Sequence, residues 1–357
     1  MVRLAVCGAK ESLCDEISRR VRGTHIVGQV SDLSESQPLT DRLKTCPTSF
    51  DSFDAVAYVG PLPPDPAELD QAIHAGKHLL LATDTILSLD GLDALVDRAA
   101  RAGVRVVVMN PDRSLPSRRL IHDELRGPKF GVPGLTRILR WETAGANRPL
   151  DASALPAPLV RDLDLVLWLT QQSPNLVYAI ARHGGEAGDN ATTTVGEANV
   201  SANTISRRAL APGSDVRPGQ EPDASAFRLI PPENPANPSS IQVHLGFADG
   251  GMALVDYADS LPPGDGYQSL SVICSNGAMY ADDHSNRQLA FRGGPPQATP
   301  TDEGLLSIVN LIQQFVDGLS SADATQHGLA QWRQVRGLAG AVRRSLDVGR
   351  AVSPEEC

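Results

Sequence analysis

The first residues that could bind a phosphate group follow the first apolar run of the chain. Residues 2–7 lead into Gly8, and residues 8–13 read Gly-Ala-Lys-Glu-Ser-Leu. In a dinucleotide site, the glycines of a G-x-G-x-x-G turn let the backbone approach a pyrophosphate at the N-terminus of a helix. Only the first of these glycines is present here. The motif alone is therefore a weak indication of dinucleotide binding.

Other arrangements of residues that carry chemistry are missing from the sequence. None of the five cysteines has C-x-x-C spacing, the eight histidines show no H-E-x-x-H pattern, and no serine lies in a G-x-S-x-G turn. Zinc sites, disulfide frameworks and serine hydrolases are recognised by such patterns. We therefore expect no metal site and no nucleophilic triad.

The overall charge makes some partners improbable. The formal net charge is −10 at pH 7, whereas a protein that binds duplex nucleic acid needs clustered lysines and arginines to neutralise phosphates. The sequence has no pattern of a signal peptide and no apolar run of the roughly 18 residues that a membrane-spanning helix needs. We expect a cytoplasmic protein that binds neither nucleic acid nor membranes.

The elements that must position Gly8 alternate regularly over the first third of the chain. Segments with helical spacing separate five short apolar runs, at residues 2–7, 25–30, 53–60, 78–82 and 104–110. Such alternation is typical of a parallel sheet with right-handed crossovers, and nearly continuous apolar strands fit a sheet covered on both faces. The pattern predicts a Rossmann (doubly wound α/β) domain over residues 1–120.

The pattern changes after about residue 120. A helical segment at 160–172 is followed by strand-like runs joined by Ala-Asp-Gly-Gly and Ser-Asn-Gly-Ala, which read as hairpin turns. Two long helices are predicted at 302–319 and 326–348. We expect an α+β domain over residues 121–357, with a large, mostly antiparallel sheet open on one face. Residues 211–239, rich in proline, are expected to form surface loops or to be partly disordered.

Several stretches together resemble the Gfo/Idh/MocA family of NAD(P)-dependent oxidoreductases. Residues 53–110, which include "AGKHLLL" and "LSLDGLDALVDRAARAGV", are similar to the family's run of strand, helix, "AGKHVL-EKP", helix and strand. "RDLDLVLWL" at 161–169 resembles the family's "HDLDL--WL" helix, and "VICSNGAMYADD" at 272–283 resembles its "GTEGSL" hairpin. With the two final helices, the resemblance spans nearly the whole chain in the right order.

This resemblance implies NAD or NADP bound between the two domains and a small ligand that is sugar-like or polyol-like, or anionic. It also implies homodimers or homotetramers that associate through the open face of the sheet. The cofactor contacts would be Gly8, Ala9, Ser31, Gly60 and Pro61. The substrate contacts would be Arg113, Arg161 and Asp162.

The sequence departs from the family at the positions that carry its catalysis. Thr83 stands where the family has a lysine, and Arg161 stands where it has a histidine. A general acid-base needs a pKa that can approach neutrality, which a threonine lacks, and an arginine stays protonated. Arg161 can polarise a carbonyl or hold a carboxylate or phosphate, but it cannot shuttle a proton. The catalytic residues are therefore unassigned.

Four other groups are candidates for the general acid-base, and each also has an interpretation in which it serves only the structure. Asp84 is typical of a residue that bonds its own turn, and Asp162 of one that complements a helix dipole. Asp65 reads as a solvated residue at a helix start, and Tyr58 as a core residue of a strand.

Two functions remain. The first is an NAD(P)-dependent oxidoreductase that acts on a sugar-like or polyol-like substrate with altered catalytic residues. The second is a non-catalytic relative, a possible pseudoenzyme, that binds a ligand or a protein partner and has lost the chemistry. The fold alone cannot decide between them, because function depends on the site.

Overall fold

The computed structural model of the chain describes twelve segments of the sequence. They are residues 1–8, 11–30, 52–59, 66–82, 89–143, 155–182, 240–261, 266–282, 287–291, 297–300, 306–320 and 327–356. The strand-like run predicted near 192–206 and the segment at 211–239 lie outside these residues.

The first sheet contains five parallel strands in the order β2-β1-β3-β4-β5. The strands are β1 (Val2–Cys7), β2 (Thr24–Val30), β3 (Ala55–Tyr58), β4 (His78–Ala82) and β5 (Val106–Met109). The helices between them are α1 (Glu11–Arg20), α2 (Pro66–His74) and α3 (Leu89–Ala102). The predicted doubly wound α/β architecture is confirmed.

Both faces of this sheet are buried, as its nearly continuous apolar strands predict. Successive side chains of a strand point to opposite faces. Leu4 and Val6 of β1 pack in a core with residues of α1 and of a C-terminal helix. Ala5 and Cys7 belong to a second core that includes residues of α2 and α3. Each strand therefore contributes to two apolar layers.

The second sheet has eight strands in the order β13-β12-β11-β10-β6-β9-β8-β7. They are β6 (Pro133–Thr143), β7 (Leu176–Arg182), β8 (Ser240–Gly246), β9 (Met252–Leu261), β10 (Tyr267–Cys274), β11 (Gly277–Asp282), β12 (Arg287–Phe291) and β13 (Gln297–Pro300). β6 and β9 pair in parallel, and the other neighbouring strands pair antiparallel. The predicted α+β part with a mostly antiparallel sheet is confirmed, including the hairpins β8–β9 and β10–β11.

One face of the second sheet is covered and the other carries exposed apolar side chains. Val243, Val255 and Val272 are fully buried. Trp141 and Met252 are exposed on alternate positions of the same sheet. The association of copies through an open face stays a prediction.

The described helices outside the first sheet's crossovers lie after β5, after β6 and at the end of the chain. A 3₁₀ helix (Pro111–Ser114) leads into α4 (Pro116–Leu125), and α5 (Ala157–Thr170) follows β6. The C-terminal helices are α6 (Leu306–Ser320) and α7 (His327–Val348), close to the predicted bounds. The predicted domain boundary at residue 120 falls inside α4, and the division at that residue stays a prediction. None of the described helices is both long and apolar enough to cross a membrane.

Gly131, which precedes β6, is a position where the backbone requires glycine. Its φ is +75°, and a Cβ there would collide with the hydroxyl of Ser275. We expect Gly131→Ala to lower the free energy of unfolding by about 1–3 kcal/mol, because it combines a left-handed conformation with a steric clash. Urea denaturation followed by circular dichroism measures this change.

Gly340 offers the matched control, because it lies within α7 and a Cβ there meets nothing within 4 Å. Gly340→Ala should raise the free energy of unfolding by up to about 1 kcal/mol, since alanine is the better helix former. Wild-type stability in Gly131→Ala would contradict the close approach of this residue to Ser275.

Candidate functional site

The carboxyl ends of the strands of the first sheet meet at one edge, which is where open α/β sheets bind ligands. Gly8 follows β1 at this edge with a φ of +83°, a left-handed conformation that glycine adopts without strain. The amide of Val59 donates to the carbonyl of Cys7 at 3.0 Å, which holds the ends of β1 and β3 together. Five other residues predicted to be at this edge lie outside the described segments: Ala9, Ser31, Gly60, Pro61 and Thr83.

Helix α5 reaches this edge through a bond to the end of β5. The side-chain amide of Asn110 donates to the backbone carbonyl of Arg161 at 2.9 Å and to the carboxylate of Asp164 at 2.8 Å. The helix begins after Pro156, and a proline also lies in its first turn, where no backbone donor is needed. Arg161 and Asp162 are thereby fixed beside the carboxyl end of the sheet.

A buried charge cluster, consisting of Asp112, Arg140 and Asp162, lies beneath this part of α5. Arg140 of β6 donates from Nε and Nη2 to the two oxygens of Asp162, at 2.8 and 2.7 Å. Its Nη2 also donates to Asp112 in the 3₁₀ helix. Asp162 is fully buried and Arg140 is 5% exposed. Forked bonds of this kind are among the stronger hydrogen bonds in proteins.

The electrostatics of the cluster keep Asp112 ionised. Burial alone would raise the pKa of Asp112, but the positive charges of Arg140 and Arg161 and the bond from Arg140 bring it down to about 2. Burial raises the pKa of Asp162 although Arg140 opposes the shift. Since both oxygens of Asp162 accept from Arg140, this carboxylate serves first to hold the arginine in place.

Arg161 is the member of this neighbourhood that reaches solvent. It is partly exposed, and its charge acts on the pKa of both Asp112 and Asp162. A guanidinium presents several donors in one plane and matches carboxylates and other paired oxygen acceptors. Arg161 therefore suits the binding of an oxygen-rich or anionic group.

Sequence reasoning missed Arg140, Asp112 and a buried tyrosine next to them. Tyr257 of β9 is paired with Arg140 of β6 in the sheet, and it is fully buried. Among the residues that the structure describes, its hydroxyl has no hydrogen-bond partner. Burial raises its pKa, and the negative charges of Asp259 and Glu142 add to the shift. The alternating pattern of β9 was the available signal, because it places Tyr257 and Asp259 on one face.

Arg113 and Tyr58 also have defined places in the structure, whereas Asp65 and Asp84 lie outside the described segments. Arg113 donates from Nε to Asp164 at 2.6 Å and from Nη1 to Gln331 at 2.8 Å, so it joins α5 to α7. Its predicted contact with a substrate stays a prediction, as do those of Arg161 and Asp162. Tyr58 is 6% exposed, and burial raises its pKa well above the usual value.

The donor set of the described residues holds no arrangement of three His, Cys, Asp or Glu that fits a metal ion. The residues described beside the start of α5 include Asp112, Arg161 and Asp162. The positions that would complete a cofactor site on the first sheet lie outside the described segments. Gly8 is the described residue whose geometry suits the close approach of a phosphate.

Comparisons with solved structures find the same fold over the whole chain. The aldose-aldose oxidoreductase of Caulobacter crescentus, solved with glycerol, matches with a TM-score of 0.69 and 15% identity over 99% of both chains. An oxidoreductase of Agrobacterium radiobacter, solved with NAD⁺, L-tartaric acid and magnesium, matches with a TM-score of 0.66 and 12% identity over 99% of both chains.

A third solved structure extends the comparison to a sugar nucleotide enzyme. The UDP-N-acetylglucosamine 3-dehydrogenase of Acidithiobacillus ferrooxidans matches with a TM-score of 0.66 and 16% identity over 97% of this chain and 98% of that chain. No protein-family model and no curated protein sequence matches the chain. The fold that the resemblance to Gfo/Idh/MocA oxidoreductases implied is thereby confirmed, and the comparisons at this identity establish the fold.

The bond between Asp162 and Arg140 can be tested by removing its negative charge. We expect Asp162→Asn to lower the free energy of unfolding by about 3–5 kcal/mol, because Arg140 would be left buried without its main counter-charge. Asp93→Asn is the matched control, since Asp93 pairs with Arg333 on the surface with 49% of its side chain exposed. An exposed pair contributes at most about 1 kcal/mol, and equal losses in the two variants would contradict the assignment.

The acid stability of the protein should report on Asp112. Its folded pKa of about 2 lies below the usual aspartate value, so its contribution is fully present above an unfolded pKa of about 3.9 and is lost as pH falls toward 2. We expect Asp112→Asn to destabilise the protein by roughly 2–3 kcal/mol at neutral pH. The difference from the wild type should shrink between about pH 4 and pH 2. A difference that stayed constant over that range, measured by denaturant unfolding at each pH, would contradict the assignment.

Proposed function

We propose that this chain is an NAD(P)-dependent oxidoreductase that acts on a small sugar-like or polyol-like substrate. One observation carries the proposal: the left-handed turn at Gly8 and the guanidinium-bearing start of α5 lie at the same carboxyl edge of a parallel sheet. That edge is the ligand-binding edge in doubly wound folds. The shared fold with oxidoreductases supports the assignment by analogy.

The cofactor side of the proposed site lies at β1 and β3. Gly8 would let the backbone approach the pyrophosphate, with Ala9, Ser31, Gly60 and Pro61 around the dinucleotide. When bound, the nicotinamide would accept or donate the hydride. The neighbour that was solved with NAD⁺ supports a nicotinamide dinucleotide as the cofactor.

The substrate side of the proposed site is built on Arg161. Its backbone is tied to Asn110 at 2.9 Å, and its side chain lies near the buried charge cluster. We propose that its guanidinium binds oxygens of the substrate while Asp162 and Arg140 keep the start of α5 in position. The neighbours solved with glycerol and with L-tartaric acid support a small, oxygen-rich ligand.

A specific observation favours a second function, that of a non-catalytic ligand-binding relative. Oxidation of an alcohol releases a proton, and a general base must take it. Thr83 stands at the position of the family's lysine, Arg161 stays protonated, and both oxygens of Asp162 are engaged by Arg140. The described part of the edge therefore favours binding over proton transfer.

Titration with NADH and NADPH tests the cofactor site directly. We expect saturable binding with a Kd in the micromolar range, measured by the fluorescence of the nicotinamide. The thermal midpoint should also rise, because a ligand that binds only the folded state stabilises it. Gly8→Val should weaken this binding at least tenfold, since a β-branched residue resists a positive φ. Absence of binding up to millimolar concentrations of both cofactors would overturn the oxidoreductase function.

Turnover separates the two functions once a cofactor binds. The wild type would be assayed with NAD⁺ or NADP⁺ against aldoses, inositols, glycerol and L-tartrate. Arg161→Ala should raise KM at least tenfold and leave cofactor binding unchanged, and Arg101→Ala, an exposed arginine of α3, is the control. Cofactor binding without turnover of any of these compounds would support the non-catalytic relative.

A further inference from the structure

A cavity lies along the free edge of the first sheet, beside β5 and away from the carboxyl ends of β1 and β3. Its volume is about 380 Å³. It extends along β5 from Arg105 to Asn110, and helices α4, α6 and α7 close it together with the end of α5. Ligand sites of proteins occupy roughly 300–1,000 Å³, so this cavity has the size of a small-molecule site.

The walls of the cavity are largely apolar and aromatic. Phe315 and Trp332 are buried side chains that line it. The rings of Trp168 and His122 stack 4.0 Å apart and nearly parallel, and the guanidinium of Arg113 lies 5.6 Å from the centre of the Trp168 ring. These contacts hold the aromatic side chains of the wall in fixed orientations.

Two of the acceptor side chains in the lining are already engaged. Asp164 already accepts from Arg113 and Asn110, and the side-chain oxygen of Gln331 accepts from Arg113. Ser114 and Trp332 are 2% and 4% exposed. Neither the hydroxyl of Ser114 nor the indole N–H of Trp332 bonds to any part of the chain that the structure describes. Both groups line the cavity and can donate to a ligand that accepts hydrogen bonds.

The lining carries three arginines, Arg105, Arg113 and Arg119, and two aspartates, Asp123 and Asp164. Arg113 is paired with Asp164, and Arg105 donates to the carbonyl of Gly318. Arg119 of α4 also lines the cavity and is exposed, and within the described segments no acidic side chain pairs with it. Asp123 faces the same opening, but its side chain is 68% exposed and lies beside His122. A negative group is therefore attracted to the Arg119 side of the cavity.

We propose that this cavity binds a small aromatic carboxylate. The ring occupies the apolar and aromatic interior of the cavity, and the carboxylate accepts hydrogen bonds from Arg119 at the opening and from the hydroxyl of Ser114 and the indole N–H of Trp332. The cavity is too small for a dinucleotide, and its lining does not include Gly8 or Arg161. It therefore adjoins the proposed oxidoreductase site, with which it shares Asn110 and the predicted substrate contact Arg113, but binding in the cavity needs no dinucleotide.

Benzoate is the probe, and benzamide is its neutral counterpart of nearly the same shape. Two of the three tryptophans of the chain line the cavity, so benzoate should change the intrinsic fluorescence in a saturable way, with a Kd of millimolar or below. Calorimetry provides a second measurement. Benzamide should bind at least tenfold more weakly, because it cannot pair with the charge of Arg119.

Two variants locate the site. Arg119→Gln and Ser114→Ala should each weaken benzoate binding, the first at least tenfold, whereas Arg101→Gln on α3 should bind as the wild type does. Arg119 is exposed, so its substitution leaves folding intact, which thermal unfolding verifies. The absence of a saturable response in both measurements, equal affinity for benzoate and benzamide, or wild-type affinity in Arg119→Gln would each overturn the proposal.

Discussion

The forked bond between Arg140 and Asp162 is the constraint that orders the middle of this molecule. Each charge lies in an interior where an isolated ion would cost several kcal/mol, and each has the other as its main counter-charge. The bond joins a strand of the second sheet to helix α5, and Asp112 brings in the segment that follows β5 of the first sheet. The two sheets are therefore positioned relative to one another by a few buried charges as well as by apolar packing.

Arg161 is a partly exposed residue in a helix that is otherwise largely buried. Its neighbour Asp162 is fully buried and accepts two hydrogen bonds from Arg140. The hydrogen bond from the side chain of Asn110 to the carbonyl of Arg161 holds the backbone of Arg161 against the end of β5. A fully buried carboxylate thus holds the part of α5 that carries Arg161, the proposed substrate contact, and in that proposal Asp162 is a positioning residue.

The sequence was informative wherever a local pattern decided the structure. The apolar runs predicted the five parallel strands, and α6 and α7 lie within about four residues of their predicted ends. The partners of Asp162 were beyond such reasoning, because Arg140 is 22 residues away and reaches a further carboxylate 28 residues from itself. No periodic pattern in the sequence indicates that these charged residues are in contact. Tyr257 illustrates the same limit, since alternation gives its face but not the charges beside it.

The cavity beside β5 persists because long polar side chains span it. Arg105 bonds to α6 through the carbonyl of Gly318, and Arg113 bonds to α7 through Gln331. These side chains fix the helices at a distance from the edge strand, where closer packing would otherwise cover it. Close-packed interiors hold few voids larger than a water molecule, and apolar walls without partners forfeit dispersion contacts. The cavity beside β5 is therefore held open by the contacts of its own walls, and it is this space that the proposed ligand would fill.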